Sequence, residues 1–441
     1  MSTTTDSYST GAGTLTDGVP GKRVWRDRNF NLFWAGQTFD AFGDAAAMII
    51  LPLLVLEATG SVAQMGLISG TAGFTCLVTS LASGVIVDRV NRRRLMIYCD
   101  IGRAIAYVSL PAVWWFSGAS ILPIYALTVL AATLGTLFVV AYTTIVPNVV
   151  EKEHISDANG MLQTTAAAAY VAGPMIAGFA SHNLSPAMAV VMVGISYIAS
   201  ALMMLFVRLR SKAASARAAA PDEGRSRLDE FWAGMRFLLR HSVLRSVTLI
   251  VAGFVLISSA TVDLSIFRLK NEMDQSGSTV GLVFGIASIG SILGGVLTSA
   301  LRRRLGFGLC FLGSLLFQGL AVAMIGVVPS VALIALLATA FTFAYTIRGV
   351  CVQSLRQQVT PDHLLGRVTS ALWTLILALG PIGTTAGTAL AERVGTRPVL
   401  IANGLICICI AAAGFLTHAY TERPENEQLA IDALAAGTAE S

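Results

Sequence analysis

The sequence predicts an all-α membrane protein with twelve transmembrane helices in two six-helix bundles. Three observations carry this. Only 12% of the 441 residues are charged and 55% are hydrophobic, with a mean hydropathy of +0.71, whereas soluble domains carry about 25% charge. Apolar runs long enough to cross a bilayer, about 20 residues each, recur along the chain. A polar stretch at 208–243 divides them six and six.

Taken in order, residues 1–28 are rich in Ser, Thr and Gly, lack an apolar core and end in Lys22, Arg23, Arg26 and Arg28. They read as a disordered tail, not a signal peptide. The first bundle, 29–207, holds spans 29–57, 63–87, 95–117, 121–146, 159–181 and 185–207. The second, 244–418, holds spans 244–267, 280–301, 307–328, 330–355, 367–391 and 397–418, and a tail follows at 419–441. With the N-terminus inside, 25 of the 30 Lys and Arg fall in cytoplasmic segments and four outside. That bias places both termini in the cytoplasm of a cell membrane. Between the bundles, Leu228, Phe231, Trp232, Met235, Leu238 and Leu239 repeat at helical spacing behind Ser226 and Asp229, a capping-box pair. Two readings stand: an amphipathic helix on the cytoplasmic face, or an N-terminal extension of span 7.

The net charge of +5 is spread in short clusters between apolar runs, which fits topology and not nucleic-acid binding. The six cysteines lie within apolar runs and serve there as small apolar side chains. The five histidines sit near segment ends without ligand spacing, so no metal site and no cofactor is expected. No P-loop, H-E-x-x-H or G-x-S-x-G is present, which leaves ATP-driven transport and common hydrolase chemistry without their parts. An enzyme is not expected; a non-transporting sensor or scaffold is the rival class.

"GVIVDRVNRRR", residues 84–94, joins spans 2 and 3 and sets Gly84, Asp88, Arg89, Arg92 and Arg93 at G-x-x-x-D-R-x-x-R-R spacing. The glycine permits close helix approach, the carboxylate can face a helix N-terminus, and the arginines can pair or hold lipid headgroups. The plainer reading is positive-inside charge. With twelve spans in two halves, the pattern resembles the loop signature of the major facilitator superfamily. The resemblance implies that fold, and for Asp88 a conformational role in locking the cytoplasmic side. A worn copy, "GVLTSALRRR", keeps Gly295, Arg303 and Arg304 in the second half. "LFWAGQTFDAFGDAAAMIILPLLVLEATGS", "DIGRA", "FWAGMRFLLRHSVLRS" and "TPDHLLGRVTS" look more closely like the drug:proton antiporter branch that includes the enterobactin exporter and the macrolide efflux pumps. "VAGPMIAG" resembles that branch's glycine-proline motif in keeping Gly173, Pro174 and Gly178, with Gly380 and Pro381 as the second-half counterpart. Each removes a backbone hydrogen bond and permits a bend where the halves meet. Span 4 lacks the arginine that several such antiporters carry there, so coupling by that route is excluded.

Candidate site residues follow from charges inside apolar runs. Asp40 and Asp44 lie one turn apart on one face, and Asp44 is about 22 Å along the helix from Asn29. A carboxylate facing lipid there costs roughly 3 kcal/mol or more. Two so close together would not both ionise readily, so one is expected to carry a proton. Asp44 reads as a proton or cation site; Asp40 reads equally as that or as a buried hydrogen-bonding group. Asp263 in span 7 completes the cavity or belongs to the outer loop. Asp100 and Arg103, three apart, form a structural ion pair, and Arg348 caps the cytoplasmic end of its helix by snorkelling. The expected function is export of an amphipathic small molecule such as a drug, antibiotic or secreted metabolite. Proton antiport and alternating access drive it, the chain acts as a monomer in lipid, and a narrow-specificity siderophore or natural-product exporter is the alternative.

Overall fold

The computed structural model describes residues 27–117, 121–150, 155–183, 186–209, 227–417 and 420, all helix, turn or irregular with no strand. The expected N-terminal tail up to Arg26, linker residues 210–226 including Ser226, and the C-terminal tail from Thr421 lie outside them. So do the side chains of Gly84, Asp88, Leu228, Asp229 and Phe231.

The first half comprises α1 (Arg28–Thr59), α2 (Val62–Arg89), α3 (Arg92–Ser117), α4 (Leu122–Ile145), α5 (Ile155–Asn183) and α6 (Pro186–Phe206). The second comprises α7 (Arg227–Arg240), α8 (Ser242–Ser258), α9 (Thr261–Phe267), α10 (Gly277–Val327), α11 (Val331–Val359), α12 (Asp362–Val394) and α13 (Thr396–Gly414). Local chemistry sets the ends. Asp27 caps α1 by accepting from the amides of Asn29 (2.8 Å) and Phe30 (3.4 Å). Gly60, at φ 67°, stops α1 in the left-handed region where a side chain is strained. Ser61 then caps α2 through the Gln64 amide.

Ten helices among the described residues are long and apolar enough to cross a membrane. The 51-residue α10 is one of them, although Gly306 (φ 75°, ψ 173°) interrupts its helical path. α7 is separate from α8, because His241 between them is extended (φ −77°, ψ 118°) and caps α8. α7 packs on α12, where a Cβ on Gly234 would fall 2.5 Å from the Arg367 carbonyl carbon.

Helices pack mainly within each half, α1 with α5 and α6, α3 with α4 and α6, and α10 with α11 and α13. Two seams join the halves, α2 with α12 and α5 with α10. Small residues line both. Cβ atoms added at Gly178 or Gly281 would each lie within 2.9 Å of the other glycine's backbone, and Gly73 abuts the Pro381 ring. The apolar core has the same polarity as the seams. At the end away from the termini one cluster runs through both halves, from Leu53, Val62 and Val190 to Leu264, Val280 and Val399. At the end bearing α1's first turn and α12's start, the halves have separate cores. One is built on Phe33, Phe138 and Met204, the other on Phe254, Phe311 and Leu355. Large apolar side chains such as Phe74, Tyr98, Ile105, Phe179 and Leu336 are exposed. A soluble fold would bury such side chains; a lipid-facing surface would not.

Candidate functional site

α1, α3, α4 and α6 bring a charged cluster into the first half. Asp40 and Asp44 project from one face of α1, and the i,i+3 spacing of Asp100 and Arg103 on α3 turns both toward it. The Arg103 guanidinium is the hub. Its Nη1 donates to Asp44 Oδ1 at 3.0 Å, and its Nη2 donates to Asp100 Oδ1 at 2.5 Å and also to Asp40 Oδ1. The guanidinium carbon lies over the rings of Phe138 on α4 (4.6 Å) and Tyr197 on α6 (4.1 Å), within cation–π range of both. Tyr197 donates its hydroxyl to Asp44 Oδ1 at 2.7 Å, and Ser200 donates to Asp100 Oδ2 at 2.6 Å.

Exposure separates the three acids. The Asp40 and Asp100 side chains are 9% and 0% exposed, whereas that of Asp44 is 45% exposed. Asp44 therefore forms the open edge of an otherwise buried cluster. It stands within electrostatic reach of Tyr170 on α5, which is in turn within reach of Tyr345 on α11. Both tyrosines are more than half exposed. Gly173 lets α5 close on α1 at this level: a Cβ there would lie 2.5 Å from that of Ala45, the neighbour of Asp44.

The expected Asp100–Arg103 ion pair is present, but not as an isolated pair, since both α1 aspartates join it. Span 4 carries no arginine, and Arg103 on span 3, expected only as the ion-pair partner of Asp100, is the arginine that the α1 aspartates meet. The available signal was an imbalance: Asp40, Asp44 and Asp100 lie in apolar runs of the first half with Arg103 the single cation among them. Asp263 is buried on α9 and accepts a hydrogen bond from Ser69 Oγ of α2 at 3.2 Å. It lies on a seam between the halves, and none of its described hydrogen bonds reaches the Arg103 cluster. Arg348 does not snorkel: it is 6% exposed and packed against the rings of Phe254 (5.2 Å) and Tyr345 (4.9 Å).

In the α2–α3 turn, Arg89 ends α2 and Arg92 begins α3. Arg93 donates from Nε to the Met204 carbonyl at 3.0 Å and from Nη2 to that of Leu205. It thereby satisfies carbonyls in the last turn of α6, where a cation is also favoured by the helix dipole. The glycine-proline pairs serve close contact: α5 and α12 run unbroken through Pro174 and Pro381. Gly178 and Pro381 lie in the two seams, while Gly380 has open space where a side chain would be. Among the described residues no group of His, Cys, Asp and Glu is arranged to hold a metal ion.

Comparison with known proteins bears on this arrangement. The "Multidrug efflux pump Tap" of Mycolicibacterium fortuitum is 25% identical over 372 residues, 82% of this chain and 89% of that protein. The protein of the same name from Mycobacterium tuberculosis is 23% identical over 400 residues, 89% of this chain and 94% of its own. The "Enterobactin exporter EntS" of Escherichia coli is 24% identical over 367 residues, 83% and 84% of the two chains. Among solved structures, a point mutant of the nucleoside transporter NupG matches with a TM-score of 0.74 at 11% identity, covering 88% of this chain and 99% of that one. A bacterial homologue of the human lysosomal transporter Spinster, inward-facing and unoccupied, matches at 0.71 and 15%, covering 92% and 99%. These structural likenesses establish the fold. The family model described as Major Facilitator Superfamily matches residues 33–384. The chain is thus a multi-pass membrane protein of the Major Facilitator Superfamily, a family of small-molecule transporters and not of enzymes.

Proposed function

We propose that this protein is a proton-coupled exporter of amphipathic small molecules, cationic ones included, and that Asp44 is where proton and substrate compete. The observation that carries the reading is the position of Asp44: one half-exposed carboxylate, held by Arg103 and Tyr197, at the open edge of a buried charge cluster. A proton or a substrate cation at Asp44 weakens its bond to Arg103, so occupancy and helix packing are linked. The efflux pumps and the enterobactin exporter among its relatives support outward transport. The exporter relative also keeps a narrow-specificity siderophore or natural-product substrate as the second reading.

In this reading there are twelve spans. α10 supplies two, divided at Gly306, and the 29-residue α5 crosses beside them. Both termini face the cytoplasm of the inner membrane, in keeping with the distribution of Lys and Arg. The shared core and both seams then lie on the outer side, and the separate cores on the cytoplasmic side, an inward-facing arrangement. Alternating access exchanges these closures. Gly84, Asp88, Arg89, Arg92 and Arg93 govern closure of the cytoplasmic side, where basic residues also meet lipid headgroups. Gly173, Pro174, Gly178, Gly380 and Pro381 act where the halves slide on one another. Asp263 joins the outer seam, and the working unit is a monomer.

The test is proton release in inverted membrane vesicles containing the full-length protein, on addition of ethidium, a macrolide or enterobactin. Release by wild type and its loss in Asp44→Asn, with equal protein in the membrane, is the expected result. Equal release by both proteins would remove Asp44 from the mechanism. Substrate accumulation without proton movement would replace antiport with another coupling.

A further inference from the structure

We infer that Asp40 and Asp100 share a single proton across Arg103, and that this proton is distinct from the one exchanged at Asp44. The inference deepens the transport reading and rests on the same cluster.

Its basis is the way the carboxylates meet the arginine. Asp40 Oδ1 and Asp100 Oδ1 both accept from the same nitrogen, Arg103 Nη2, while Asp44 is served by Nη1. The Asp40 and Asp100 side chains are enclosed and that of Asp44 is half-exposed. The enclosed part therefore sets one guanidinium against two carboxylates, an excess of one negative charge. Like charges converging on one atom in a low-dielectric interior do not both persist, and one proton shared by the two resolves the excess. Asp44, half-exposed and served by the other nitrogen, stands outside this buried pair.

Among the described residues, the surrounding groups supply no other compensation. α3 contributes Cys99 and Tyr107, α4 contributes Phe138 and Tyr142, α5 contributes Tyr170, and α6 contributes Tyr197 and Ser200. Thiols, phenols and hydroxyls of this kind bring no positive charge. Arg103 is thus a positioning residue: it holds one ionised partner in the buried pair and offers its other edge to Asp44. Protonation of Asp44 frees that edge without stripping the arginine of its counter-ion.

The measurement is infrared spectroscopy of the purified full-length protein in nanodiscs at neutral pH, with carboxyl-13C aspartate identifying the protonated-carboxyl stretch. Asp263→Asn is recorded first, so that any band belonging to that separate buried acid is assigned. A remaining protonated-aspartate band is expected in wild type. It should be lost in Asp40→Asn and equally in Asp100→Asn, because either acid left alone with Arg103 ionises, and it should persist in Asp44→Asn. A wild-type spectrum with no band beyond that of Asp263 overturns the inference even if no variant folds. So does a band lost in only one of the two variants, which would assign the proton to one acid, or a band that vanishes in Asp44→Asn. No substrate is needed, so failure of the transport reading leaves this result interpretable, and the reverse holds too.

Discussion

Arg103 and Arg348 are both buried in the helical bundle, one in each half, and they are compensated in opposite ways. Arg103 is ringed by Asp40, Asp44 and Asp100 and lies over the rings of Phe138 and Tyr197. Arg348 rests on Phe254 and Tyr345, with no carboxylate in ion-pair range among the described residues. A buried cation satisfied by aromatic faces is a fixed part of the wall. A buried cation outnumbered by carboxylates can respond to protons and to other cations. The two halves share a fold, but among the described residues the cluster of carboxylates around a buried arginine lies in the first.

The largest expected effect comes from breaking the first arrangement. Arg103→Gln strands buried carboxylates and should lower stability by about 3–5 kcal/mol, the range for removing one partner of a buried ion pair. Thermal unfolding of detergent-solubilised protein reads this, and adding Asp100→Asn should recover part of the loss. An unshifted melting temperature in Arg103→Gln would mean that the arginine is not the hub.

Next comes the contact that joins the halves. Gly281→Leu places a branched side chain against the Gly178 backbone, an overpacking cost of roughly 1–3 kcal/mol. The α5–α10 seam should open, read as a longer spin-label distance between the ends of α5 and α10 near Asn183 and Gly277. Ser69→Ala removes the donor to buried Asp263 and should cost about 1 kcal/mol, measurable in the same melting assay. The smallest effect is expected at the contrasting arginine. Arg348→Met strands no acid, and replacing a buried charge by an apolar side chain should change stability by less than about 1 kcal/mol. If it destabilised as much as Arg103→Gln, the contrast between the halves would fail.

The helical, membrane-spanning class was legible because a bilayer demands long apolar runs, and these are local properties of the chain. The intervening clusters of Lys and Arg were equally plain. Asp40 with Asp44, and Asp100 with Arg103, stood out as two same-face pairs for the same reason, as charges within apolar runs. Their assembly was not legible: Asp40 and Arg103 are 63 residues apart, and no period or spacing along one helix shows which face of α3 meets which face of α1. Arg348 illustrates the same gap. Proximity to a span end suggested snorkelling, and only the packing of α11 against Phe254 of α8 placed its guanidinium inside.

The sequence by itself thus determined the class of fold, the family pattern and the short list of charged residues worth following, because hydrophobic length and local spacing are properties of one segment at a time. The tertiary structure alone decided that three carboxylates converge on Arg103, that Asp44 is the exposed one, that Asp263 belongs to a seam between the halves, and which end of the bundle is closed. Those are relations between helices. They follow from close packing at small residues and from the need to satisfy a buried guanidinium, and both act across long separations in the chain.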